Sequence, residues 1–161
     1  MPFAVDKTLE PALALILIPL LGPNSVVLPV AVTPDECGAA WNGPKGAGKL
    51  DYRLICRVRD AWFGNGNAAD DMTFSLYDLV AHAAKTRPLK AGTLIGSGTV
   101  SNHDTHTGYA CIMEKRLVEQ VTLGEAKEDF LRFGDTIEID MVDHQGETIF
   151  GAIKQTLLRA S

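Results

Sequence analysis

Hydrophobic and polar residues alternate along three stretches of the chain, and this period of two predicts β-strands. The first stretch covers residues 50–59 and places five apolar side chains on one face: Leu50, Tyr52, Leu54, Cys56 and Val58. The other two, residues 137–142 and 149–153, flank the turn-forming residues 143–146, so they predict a closing hairpin. The acidic side chains that alternate with its apolar residues are expected to face water.

A different period, close to that of an α-helix, appears over residues 75–85. Its apolar stripe consists of Leu76, Leu79, Val80, Ala83 and Ala84. Ser75 and Asp78 have the spacing of a capping box, and Pro88 disfavours continuation of the helix. The pattern predicts one main helix, with His82 at its surface.

Glycines shape two further predictions. Asn65-Gly66 favours a turn with positive φ, so we expect a tight reversal there, after the strand that passes through Asp60. In residues 93–101, Gly96 and Gly98 alternate with small residues in a strand-like run. Glycine inside a strand indicates either a ligand close to the backbone or a bulge, and the sequence leaves both open. Residues 123–130 predict a loop, and residues 133–135 a turn.

Composition narrows the class of protein. The chain has 161 residues, enough for one domain with a hydrophobic core. Its 15 Lys and Arg stand against 20 Asp and Glu, without a basic block, so nucleic acid is not an expected partner. The three cysteines are widely spaced and form no Cys-x-x-Cys pair, which argues against a disulfide framework and a structural zinc site and favours a cytoplasmic location.

The N-terminal residues 12–21 are nearly all apolar. A membrane span needs about 20 apolar residues, whereas Pro19, Gly22 and Pro23 interrupt this run. A secretory signal needs a positive start, but Lys7 lies between acidic residues. We therefore expect neither a signal peptide nor a membrane anchor.

Two motifs resemble binding sites without meeting their requirements. Residues 43–49 match a phosphate-binding loop, but Leu50 replaces the Ser or Thr that holds magnesium, and a strand follows in place of a helix. His103, Asp104 and His106 share one loop and could bind a metal. Imidazole suits zinc, copper or nickel better than magnesium, so a solvated loop is the favoured interpretation.

Several motifs in a fixed order point to one family. Residues 96–102 (GSGTVSN), a polar loop and residues 111–114 (CIME) resemble the C-terminal signature of the fumarylacetoacetate hydrolase family. Further similar segments lie at residues 30–36, 62–64, 72–86, 133–136 and 150–153. The resemblance implies an α+β, β-rich fold, a mixed β-sheet roll or sandwich with one main helix. It also implies a partial C-terminal catalytic domain at residues 29–161, after an atypical apolar leader at residues 1–28.

The resemblance also implies chemistry. Family members cleave a C–C bond in 1,3-diketo acids of the fumarylacetoacetate or acylpyruvate type, using Mg²⁺ or a similar ion such as Ca²⁺ or Mn²⁺. By position, Thr99 matches the threonine that binds the substrate, with Gly98, Ser101 and Asn102 beside it. Glu114 matches an acid that deprotonates the attacking water. Without the resemblance, Glu114 would be interpreted as a surface acid paired with Lys115 or Arg116.

Important family features have no match in this chain. The family's metal carboxylates and the histidine partner of the Glu114-like acid lie upstream of the similar region, and Gly22 occupies the place of a lysine. We therefore expect a truncated half that does not work alone; the alternative is a non-catalytic remnant or subunit that retains an interaction surface. Exposed strand edges predict a homodimer or larger species, with residues 12–32 buried if ordered.

Overall fold

The fold is described from a computed structural model, over residues 30–159. The expectations for the leader, residues 1–28, lie outside the described residues. Of the segment 12–32, only residues 30–32 are described: Val30 and Ala31 are exposed, whereas Val32 is half-buried and packs against the core.

One sheet of four antiparallel strands organises the described chain. The strands are β1 (Arg53–Val58), β2 (Ala61–Asn67), β3 (Thr136–Val142) and β4 (Ile153–Thr156), in the order β2-β1-β3-β4. Cys56 lies opposite Gly64 on one side and Ile139 on the other, and Ile139 lies opposite Ile153. This architecture confirms the α+β, β-rich fold class and the closing hairpin.

The core lies on one face of this sheet. All five apolar residues of the predicted alternation, from Leu50 to Val58, are buried. Trp41 and Phe150, at 0% and 1% exposure, fill the space against them. Phe150 lies just before β4 and is buried, whereas its neighbours Ile149 and Gly151 are half-buried. Of the residues Ile149, Gly151 and Ile153, which were predicted to alternate into the core, only Ile153 is buried.

The predicted position of the first reversal was wrong. The chain reverses at Arg59 and Asp60, whose φ angles of 54° and 60° form a two-residue hairpin turn. Strand β2 then continues through Asn65 and Gly66. The glycine is needed for packing there, because a Cβ atom at Gly66 would lie 2.8 Å from the Asn102 Oδ1 atom.

Within residues 30–159, three α-helices accompany the sheet: α1 (Ala39–Asn42), α2 (Leu76–Ala84) and α3 (Ile112–Leu123). Helix α2 has the predicted capping box, in which the Ser75 hydroxyl accepts from the Asp78 amide at 3.2 Å and Asp78 accepts from the Ser75 amide at 2.8 Å. His82 is exposed, as expected. None of the helices in the described range is long and apolar enough to cross a membrane.

Helix α3 was not predicted, although it is the longest helix of residues 30–159. Cys111 provides no side-chain cap, and none of the residues in α3 is buried. Its sequence therefore lacks a polar cap, and Met113, Leu117 and Val121, which have the spacing of a helical apolar stripe, are left exposed by the structure. Gly124, with φ of 84°, ends the helix, and the loop predicted after it is present up to residue 130.

The strand-like run at residues 93–101 forms no strand, which corrects the prediction made from its alternation. A Cβ atom at Gly96 or Gly98 would meet nothing within 4 Å, and neither glycine has positive φ. The run has too few large side chains to bury a face against the sheet. Neither a bulge nor a close approach by the described chain accounts for these two glycines.

Candidate functional site

The segment that carries most of the candidate site lies along edge strand β2 and then enters α3. The Tyr109 amide donates to the Phe63 carbonyl at 3.0 Å, and Gly64 and Gly108 form an antiparallel bridge. A Cβ atom at Gly64 would lie 2.1 Å from the Tyr109 carbonyl oxygen. Glycine at this position therefore allows the two backbones to lie close together.

Asn102 holds the beginning of this segment against the end of β2. Its Oδ1 atom accepts from the Asn67 amide at 2.8 Å. Its Nδ2 atom donates to the carbonyl oxygens of Asn67 and Asp70, both at 3.1 Å. These contacts use both Nδ2 hydrogens for the scaffold, so the described geometry makes Asn102 a residue that positions the loop.

Glu114 lies in the first turn of α3, where the helix dipole favours a carboxylate. The Ser101 hydroxyl donates to its Oε1 atom. Its Oε2 atom is buried and has no hydrogen-bond partner in the described structure. An unpaired buried acceptor costs about 1–3 kcal/mol, so Oε2 requires a hydrogen-bond donor that the described residues do not supply.

The two cations beside Glu114 in sequence do not pair with it. The Lys115 ammonium binds the Glu128 carboxylate, and the Arg116 guanidinium donates to the Glu128 carbonyl oxygen. Because both cations contact Glu128, Glu114 is not a surface acid paired with Lys115 or Arg116. The acid is instead oriented by a hydroxyl group thirteen residues earlier in the chain.

The structure divides the predicted substrate-binding residues into two groups. Ser101 and Asn102 are anchored through their side chains to Glu114 and to the end of β2. Gly98 and Thr99 are exposed in the preceding loop. Thr99 is therefore accessible from solvent.

One feature of the site region was misread at the sequence level. Asn65 was interpreted as a turn residue, but it lies within β2 and its Oδ1 atom is buried without a partner. Within residues 30–159, it shares this property with Glu114 Oε2 alone.

The described residues do not assemble a metal centre. No group of three His, Cys, Asp or Glu side chains in residues 30–159 could hold an ion. The His103 side chain is 94% exposed and lies 3.8 Å from Asp71, while Asp104 accepts from the His106 amide at 2.9 Å as a cap. The segment is not a plain loop, because Thr105–Thr107 form a short 3-10 helix that Asp104 caps.

The phosphate-loop lookalike serves the scaffold. Lys49 donates to the Met72 carbonyl oxygen at 2.5 Å, and Lys45 pairs with Asp70. Residues 43–49 lead through the buried Leu50 toward β1, so no helix N-terminus is available for a phosphate group.

Comparison with known families adds one finding. A family model described as fumarylacetoacetate (FAA) hydrolase C-terminal matches residues 22–158, a range that includes every strand and helix of the described structure. The match confirms the resemblance carried by residues 96–114. No curated protein sequence matches the chain.

Proposed function

The chain belongs to the fumarylacetoacetate hydrolase C-terminal family, and from this premise we propose that it carries part of the site of a C–C bond hydrolase acting on a 1,3-diketo acid. The family suggests hydrolase- or isomerase-type chemistry and is generally metal-dependent. The observation that carries the proposal is the Glu114 carboxylate, with one oxygen held by Ser101 and the other buried and unpaired.

In the proposed reaction, Glu114 acts as general base. Its Oε2 atom accepts a proton from water as the water oxygen forms a bond with a carbonyl carbon of the substrate. The bond between that carbon and its neighbour then breaks, its electron pair stays on the neighbour, and the resulting enolate takes the proton back from Glu114, which restores the carboxylate. Ser101 keeps the carboxylate oriented, and the exposed Thr99 hydroxyl binds the carboxylate or a keto oxygen of the substrate.

A divalent ion would stabilise the enolate in such a reaction. The donor groups of residues 30–159 do not fit a complete site for it, because no three potential ligands converge. Glu114 Oε2 offers one oxygen, whereas Mg²⁺ and Ca²⁺ take six or more. The proposed steps therefore involve only residues of this chain, and we expect the chain alone to be inactive.

A binding experiment separates this proposal from its alternative. In this experiment, acetylpyruvate would be titrated into the ¹⁵N-labelled chain, and the amide signals of Thr99, Ser101 and Glu114 would be followed by NMR. These signals should shift on titration, and Glu114→Gln should reduce the shifts, while Mg²⁺-dependent loss of acetylpyruvate absorbance stays at background. Ser97→Ala in the same exposed loop serves as the control and should bind as the wild type does.

The alternative is a non-catalytic remnant or subunit that retains the fold. Its supporting observation is the lack of a metal-binding group in the described residues. No shift at the three amides with millimolar acetylpyruvate would favour this alternative and refute the proposed site. Turnover by the purified chain, abolished by Glu114→Gln, would support the site but refute the expectation that the chain is inactive alone.

We also propose a reducing, cytoplasmic location. The three cysteines are free thiols, with Cys37 and Cys56 buried and Cys111 half-buried. Burial raises the pKa of Cys56 to about 11 and also raises the pKa of Cys37. These two cysteines thus behave as small apolar core residues, which suits a compartment that keeps thiols reduced.

A further inference from the structure

A cavity of about 230 Å³ lies between the sheet and the start of α3. The lining residues are Cys56, Val58 and Phe63, the two isoleucines of β3, and residues 110–113. Within the described chain this lining is therefore apolar apart from thiol groups, and it contains no carboxylate, ammonium or guanidinium group. Met113 is 49% exposed, so the cavity opens to solvent at the beginning of the helix.

A β-bulge shapes the inner part of this cavity. The pairing of β1 with β2 shifts between Cys56 and Arg57, so that Phe63 of β2 has no partner in β1. Phe63 is 6% exposed, whereas its neighbour Trp62 is 59% exposed. Bulges redirect single side chains in this way and are frequent beside active sites. The sheet thus gives up one regular pair where Phe63 lines the cavity.

The cavity adjoins the Ser101–Glu114 pair. Residues 110–113 line it, and Glu114 follows directly, three positions after Cys111. Residues three positions apart lie side by side along a helix. Glu114 Oε1 accepts from Ser101, and its buried Oε2 atom requires a donor. A substrate whose reacting carbonyl lies at Glu114 would therefore have an apolar cavity within reach of its acyl chain.

We propose that this cavity, the acyl pocket, binds the acyl chain of the diketo acid and selects an uncharged chain of about five or six carbons. The inference rests on the proposed function. An apolar cavity of about 150 Å³ holds a benzene molecule, so the larger acyl pocket accommodates a chain of this size. An apolar occupant also restores the close packing that is normal for protein interiors.

Charge decides which end group the acyl pocket takes. A carboxylate at the end of the chain would lose its hydration among apolar walls without gaining a partner. The nearest cation described at the pocket is Lys115, whose ammonium lies 5.0 Å from the centre of the Phe63 ring. That ammonium already binds Glu128, so the pocket favours a plain alkyl chain over one that ends in a carboxylate.

Binding of two acylpyruvates to the wild-type chain tests the acyl pocket. Each buried CH₂ group tightens binding about fourfold, so hexanoylpyruvate, with four more CH₂ groups than acetylpyruvate, should bind at least about tenfold more tightly even when burial is incomplete. The NMR methyl signals of Met113 and Ile139 should shift with hexanoylpyruvate alone, whereas the Ser101 and Glu114 amides should shift with both ligands. An acylpyruvate of the same length whose chain ends in a carboxylate should bind no more tightly than acetylpyruvate.

A matched pair of variants adds a second readout. Ala110→Leu places a larger side chain in the acyl pocket and should abolish the difference in affinity between the two acylpyruvates. Ala84→Leu makes the same change at a half-buried alanine of α2 outside the lining and should preserve the difference. If Ala110→Leu does not fold, the wild-type methyl signals decide the question alone.

The readouts separate this inference from the proposed function. Equal affinities for both acylpyruvates, with shifts at the Ser101 and Glu114 amides, would refute the acyl pocket and leave the proposed function standing. No amide shift with either ligand would refute the proposed function and the acyl pocket together. Methyl shifts without amide shifts would mean that the cavity binds alkyl chains away from Glu114, which contradicts its assignment to the substrate.

Discussion

Replacing Glu128 by glutamine would remove the charge that joins three parts of the described structure. Its carboxylate binds Arg59 in the β1–β2 turn and Lys115 in α3, and its side chain is only 11% exposed. Arg59 also lies 3.3 Å from Asp135, just before β3. The Glu128→Gln variant therefore tests whether these ion pairs stabilise the packing of α3 and the loop against the sheet.

The expected loss is about 2 kcal/mol. A hydrogen bond to a charged group contributes about 1.5–3 kcal/mol, and two such bonds lose their charge here. Two features reduce the total: Arg59 and Lys115 are 37% and 28% exposed, so water solvates them in part, and the glutamine carbonyl can still accept one bond. For a chain of this length, the loss corresponds to a Tm lower by about 4–8 °C.

Thermal unfolding followed by circular dichroism measures this difference. Asp129→Asn is the matched control, because it removes a neighbouring charge that pairs with Arg132 at the surface. The Asp129 and Arg132 side chains are 63% and 74% exposed. An exposed pair of this kind contributes about 0–1 kcal/mol. A Glu128→Gln variant that melts within 1 °C of the Asp129→Asn control would refute the reasoning.

The effect should also depend on pH in a defined direction. Burial by itself would raise the pKa of Glu128, but the Lys115 ammonium and the Arg59 guanidinium outweigh it and hold the pKa below 4.5. A carboxyl group whose pKa is lower in the folded than in the unfolded protein stabilises the fold at pH values above its unfolded-state pKa. This stabilisation is lost as the pH falls through its folded-state pKa. The Tm gap between wild type and Glu128→Gln should therefore be full above pH 4.5 and close under more acidic conditions.

Three further predictions concern the scaffold, each measured by urea unfolding. Gly64→Ala should destabilise by roughly 3 kcal/mol, because its Cβ would lie 2.1 Å from the Tyr109 carbonyl oxygen, whereas Gly96→Ala in open space should change stability by less than about 0.5 kcal/mol. Equal effects would contradict the close approach. Asn102→Ala should cost about 2 kcal/mol by breaking three hydrogen bonds, and an unchanged midpoint would refute its positioning role. Ser75→Ala should cost about 1 kcal/mol through loss of the α2 cap; a neutral result would mean that the cap adds nothing.

Local sequence signals determined the elements whose stabilising contacts lie close together in the chain. The alternation from Leu50 to Val58 identified the buried face of β1, because side chains in a strand alternate whatever their partner. Ser75 and Asp78 identified the start of α2, because a capping box closes within four residues. The match of the ordered motifs to the family likewise needed only the sequence.

Only the tertiary structure decided the features that depend on distant residues. Asn65-Gly66 has the chemistry of a turn, yet it lies within β2, where Asn102 packs against the glycine. Helix α3 carries no side-chain cap and no fully buried apolar residue; Lys115 pairs with Glu128 in the loop that follows it, and the half-buried Ile112 at its start packs against the core. The Ser101–Glu114 pair likewise joins residues thirteen positions apart. Local propensity cannot encode such contacts, because their free energy exists only after the distant segments have been brought together.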